Sequence, residues 1–131
     1  MISKGQNIAS WICQLASAAI LGQTLFFKFT GAEEARYIFT TLGVEPWGRI
    51  GAGVAELITV VLLLIPRTAA VGAAMAVGMM VGAIGSHLTK LGIVVKDDGG
   101  LLFTLAIVTL VCSSVVVLIR RRSLPIIGSR L

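Results

Sequence analysis

"WGRIGAGVAELITVVLLLIPRTAAVGAAMAVGMMVGAIGSHL", Trp47 to Leu88, decides the fold. It holds two apolar runs, residues 47–65 and 69–88, separated only by Pro66, Arg67 and Thr68. Each run is close to the ~20 residues that an α-helix needs to cross a bilayer. A three-residue break at a proline allows the second helix only to fold back on the first, so the stretch predicts an antiparallel helical hairpin. Glu56 stands at the middle of the first run. A charged side chain there costs about 2.5–3.5 kcal/mol on insertion scales, so it must face something other than lipid.

Two further runs flank the hairpin, residues 8–29 and 101–119. Ala16-Ser17-Ala18 resembles a signal-peptide cleavage site, but the apolar run continues beyond it through "AILGQTLFF", which is too long for a leader and predicts a retained helix. With 56% hydrophobic and 13% charged residues in 131, a soluble domain could not hide its apolar surface. The expected fold is all-α: a transmembrane antiparallel four-helix bundle, one membrane domain over residues 1–131.

The net charge of +5 does not point to nucleic acid, because the basic residues sit at the ends of apolar runs and no basic–aromatic patch exists. Four spans put both termini on one side. Arg120, Arg121 and Arg122 directly after the last span place that side in the cytoplasm. The connection between the first two spans carries Ala32, Ala35, Phe39 and Leu42 at helical spacing, which predicts a short interfacial helix. Gly43 suits its end, and Pro46 the first turn of the following helix. Asp97 and Asp98 precede the last span, where negative charge favours a helix N-terminus.

Glu56 shares its helix face with Arg49, Gly53 and Thr59. On the first helix Gln14, Ser17, Leu21, Thr24 and Lys28 recur at alternating spacings of three and four, with Lys28 long enough to reach inward. On the third span Ala74, Gly78, Gly82 and Ser86 form a ridge of small residues that lets another backbone approach closely, and His87 follows it. Lys28, Arg49, Glu56, His87, Thr24 and Thr59 are therefore the candidate polar cluster, with Lys28, Arg49 and His87 in the outer part and Glu56 beneath them. The residues alone leave three roles open: an ion pair that fixes helix register, a ligand-binding or proton-linked pocket, or a polar contact with a partner subunit.

Cys13 and Cys112 lie inside apolar runs without a CxxC and read as small hydrophobes. One histidine with no cysteine or carboxylate at ligand spacing predicts no metal site and cannot supply two axial haem ligands. GxGxxG, Walker, HExxH and GxSxG motifs are absent, which argues against hydrolytic or nucleotide-dependent chemistry.

Phe26, Phe27, Lys28 and Gly31 at the end of the first span, Leu42-Gly43 before the second, Gly53 and Glu56 within it, the "LLIPR" hairpin at 63–67 and the Gly/Ala-rich third span together resemble the DoxX-like family of small membrane proteins, over roughly residues 8–120. The resemblance implies a four-helix bundle in a bacterial or archaeal inner membrane. It also implies an association with quinone-linked oxidoreduction, in which an accessory subunit with a quinone as cofactor or ligand is the leading expectation. A lipid guest, protein subunits of a redox or envelope complex, and self-association are further expectations. A small proton-coupled transporter using Glu56 and an assembly chaperone for other membrane proteins are the alternatives. The four-helix multidrug exporters, however, carry their membrane carboxylate on the first helix.

Overall fold

A computed structural model of the chain describes residues 2–45, 47–93 and 99–123, with no description of the Glu34 and Ser123 side chains. Pro46, Asp97 and Asp98, which carried expectations above, lie outside those residues. Helix α1 runs Lys4–Thr30, α2 Glu33–Thr41, α3 Trp47–Leu64, α4 Ala69–Ser86 and α5 Leu101–Arg120. A π-helical turn, His87–Leu91, extends α4, and a short 3₁₀ turn, Arg121–Ser123, follows α5. Among the described residues, four segments are long and apolar enough to cross a membrane: Lys4–Thr30, Trp47–Leu64, Ala69–Leu91 and Leu101–Arg120.

Local chemistry sets the boundaries. Ser3 and Gln6 form a capping box, each side chain accepting from the other's backbone N–H at 3.1 and 2.9 Å. This begins α1 four residues earlier than apolarity alone indicates. Gly31, at φ 68°, ends α1: its N–H reaches the Lys28 carbonyl and the Ala32 N–H reaches that of Phe27, a Schellman motif. Gly43, at φ 78°, ends α2 with the same pair of bonds, to Thr40 and Phe39. The hairpin after α3 is closed by Thr68, whose hydroxyl donates to the Leu62 carbonyl at 2.9 Å.

The spans form a closed ring in the order α1, α3, α4, α5 and back to α1. Helix α2 lies across one end, touching α1, α3 and the π-turn. Its apolar residues Ala35, Ile38, Phe39 and Leu42 face a cavity in the bundle. The expected interfacial helix is thus present and turns its apolar face onto the protein.

The packing is inverted relative to a soluble domain. Large apolar side chains such as Ile12, Leu15, Val61, Val111 and Leu118 point outward, where lipid would meet them. Leu21, Leu63, Ala73, Ala76, Met80, Ala106 and Val116 form the core, and among the described residues ten polar or charged ones are buried. Small residues on α4 admit the close approach that lipid itself does not drive. They are not the expected ones. Helix α4 packs through Ala69, Ala70, Gly72, Ala73 and Ala76, and a Cβ on Gly72 would stand 2.9 Å from the Leu63 backbone nitrogen. Ala74, Gly78 and Gly82 face outward, with open space over both glycines. The large apolar Met80, one of the core residues, fixes which α4 stripe turns inward.

Candidate functional site

Glu56 is 5% exposed, and its carboxylate is compensated from α1. Lys28 Nζ donates to Oε1 at 2.8 Å, and the Thr24 hydroxyl reaches Oε2 at 3.0 Å. The alternating spacing on α1 puts Thr24 and Lys28 one turn apart on the face that meets α3. The countercharge and the hydroxyl offset the desolvation cost that the buried carboxylate would otherwise carry unpaired. The single Thr24 proton is shared between Glu56 and the Leu21 carbonyl, also at 3.0 Å. Lys28 retains N–H groups beyond the one given to Glu56.

Arg49 lies on the same face of α3 but does not reach Glu56. Its Nε donates to both Glu45 oxygens, at 2.8 and 3.1 Å, and its Nη1 donates to the Lys28 carbonyl. Arg49 therefore caps the C-terminal end of α1, where a cation complements the helix dipole. Thr59 turns back to the Ala55 carbonyl at 2.8 Å and is fully buried. Gly53 faces the Phe29 ring, 2.9 Å from where a Cβ would sit. Ser86 donates to the Gly82 carbonyl within α4.

His87 is 6% exposed at the start of the π-turn. Nδ1 lies 2.9 Å from the Ala83 carbonyl, and the ring meets Phe103 edge-on at 5.6 Å. Nε2 is buried without a hydrogen-bond partner.

Thr24, Lys28, Glu56 and His87 all line one open cavity of about 510 Å³, walled by α1, α3, α4 and α5 and bordered by α2. That volume is within the range of small-molecule sites, and its wall is mostly apolar with a few polar groups, as such sites are. Arg49 and Thr59 lie outside the lining.

A second buried polar cluster, at the opposite end of the bundle, was not anticipated. Arg120 Nε donates to Ser10 Oγ at 2.7 Å and Gln14 Oε1 at 2.9 Å, and Nη2 donates to Asn7 Oδ1 at 2.8 Å. Gln14 in turn donates to the Leu63 carbonyl at 2.7 Å, satisfying the end of α3. The signal was present in the spacing: Ala106, Thr109, Ser113, Val116 and Arg120 alternate by three and four, and all are buried. Cys13 and Cys112, distant in sequence, are both free and stand on α1 and α5, which pack against each other. Among the described residues, no group of three or more His, Cys, Asp or Glu converges as a metal site would require.

The fold and the cluster define a small multi-pass membrane protein with a polar-edged cavity inside its helices. The sequence profile of the DoxX-like family matches residues 12–115, and the chain belongs to that family. No curated protein and no solved structure matches it.

Proposed function

We propose that the protein is a non-catalytic subunit of a redox or envelope complex in a bacterial or archaeal inner membrane. In this reading its cavity holds one lipophilic molecule with a polar head, a quinone or a lipid. The observation that carries the reading is the cavity of about 510 Å³ with Thr24, Lys28, Glu56 and His87 at its edge. A register-fixing ion pair needs no such volume beside it. The Lys28–Glu56 contact at 2.8 Å supports holding a guest over moving a proton, because the carboxylate already has its cation. Both termini face the cytoplasm in this reading, with the Arg120–Arg122 run at that surface.

Photolabelling in native membranes with a diazirine-bearing fatty amide tests the cavity, and mild-detergent pull-down tests the subunit role. Labelling concentrated on the segments around Thr24–Lys28 and Ala83–His87, with one recurring co-purified protein, supports the proposal. Labelling spread evenly over the outward faces, or recovery of the protein alone, overturns the corresponding half.

A further inference from the structure

The cavity's polar edge is not uniform in hydrogen-bonding sense. Nδ1 of His87 lies 2.9 Å from a backbone carbonyl, which can only accept, so Nδ1 carries the proton. An imidazole that donates through Nδ1 presents Nε2, in its neutral form, as an acceptor. That atom is buried, without a partner, on a residue that borders the cavity. A buried acceptor left unpaired is costly, and it is satisfied only by an N–H or O–H donor. Across the cavity the order is reversed. Lys28 offers N–H donors beyond the one bonded to Glu56, and Thr24 and Glu56 offer oxygens. Phe103 against the ring and the Nδ1 bond set the sense of the imidazole, and a guest meets the covered Nε2 through a small shift of the ring toward the cavity.

We infer that His87 Nε2 is the recognition atom for a hydroxyl group. Resting on the reading of the cavity as a binding site, this names the guest: a lipophilic alcohol or phenol, preferred over the same molecule oxidised to a carbonyl or capped as an ether. A carbonyl or ether oxygen placed at Nε2 sets acceptor against acceptor and leaves both unpaired. The hydroxyl has two sources of matching chemistry, a hydroquinone-type phenol and a glycerolipid alcohol.

The full chain, labelled with ¹⁵N-histidine and held in nanodiscs, permits a direct test, because His87 is its only histidine. The probes are 4-octylphenol and its methyl ether 4-octylanisole, equal in apolar body and different in one donor. The wild type is expected to bind the phenol about tenfold more tightly than the ether, the scale of one buried hydrogen bond. The Nε2 resonance should move with the phenol and stay in place with the ether. In His87→Phe the preference should fall below about threefold. If that variant does not fold, the wild-type resonances still decide. Dioctanoylglycerol forms a second arm, and whichever hydroxyl compound binds more tightly identifies the source. Equal binding of phenol and ether with an unmoved Nε2 resonance overturns the hydroxyl preference and leaves the cavity as a general lipophile site. Binding of neither probe overturns the cavity reading and this inference together.

Discussion

Removing Lys28 should cost more than removing the charge of Glu56, and the asymmetry follows from where each side chain sits. Lys28→Met leaves a carboxylate whose side chain is 7% exposed facing only Thr24. Breaking a buried pair from one side costs about 3–5 kcal/mol. Because Thr24 remains and the site borders a cavity that water can enter, the lower end, about 3 kcal/mol, is expected. Glu56→Gln leaves an amide oxygen that still accepts from Lys28 or Thr24. It also leaves a cation on a long stem, 16% exposed, that can carry its head toward the outer surface. A loss of about 1 kcal/mol is expected there. The double variant removes both charges, so it should be more stable than Lys28→Met alone by about 1–2 kcal/mol; set against additive losses, that is a coupling of about 2–3 kcal/mol, at the upper end of what contacting residues show. Reversible unfolding by SDS titration in mixed micelles reads all four proteins. Additive losses, or a Glu56→Gln loss equal to that of Lys28→Met, would refute the claim that the pair exists to neutralise a buried carboxylate.

Other parts of the bundle are open to equally direct tests. Arg120→Met should destabilise by about 3 kcal/mol in the same titration, because it strands acceptors on Asn7 and Ser10, whereas Gln14 Oε1 keeps the Ser10 hydroxyl. Arg120→Lys should recover less than half, since one ammonium cannot reproduce the guanidinium fork. Gly72→Ala should cost about 2 kcal/mol, because its Cβ meets backbone of α3 that cannot move aside, whereas Gly78→Ala should lie within about 1 kcal/mol of wild type. Mild oxidation in detergent should join Cys13 to Cys112 within one chain, seen as the loss of both thiols to maleimide without dimer formation. Dimers at low protein concentration would place the two helices apart.

Much of the fold was legible because a bilayer leaves a chain few options. Residues 47–65 and 69–88 could only be a hairpin, and α3 and α4 begin where the apolar runs do. Gly43 announced the end of α2 through its left-handed backbone. That Lys28 and Arg49 both belong to the polar cluster around Glu56 was readable from the helical period, but which of them pairs with it was not. Three placements went unread. Which stripe of α4 packs inward is set by competition between small residues on both sides of the helix. The ridge Ala74, Gly78 and Gly82 looked the better candidate, yet Met80 and the Ala73–Ala76 stripe fill the interior and turn that ridge outward. Arg49 also went elsewhere: Glu45, four residues before it, and the open carbonyls at the end of α1 are nearer than Glu56. Arg120 read as one of three surface arginines because a run of like charges conceals which member turns inward. Its partners Asn7 and Ser10 precede or begin the apolar run and carried no signal of their own.

The central claim is that the space beside Lys28, Glu56 and His87 is a site for one lipophilic guest. Native mass spectrometry of the protein extracted from its own membrane tests it most directly, with wild type compared against Ala83→Phe, which places a ring in the cavity wall and leaves the Lys28–Glu56 pair in place. The account predicts a single adduct of constant mass on wild type and its loss from the variant. The same set of adducts on both proteins, or none on either, would contradict it.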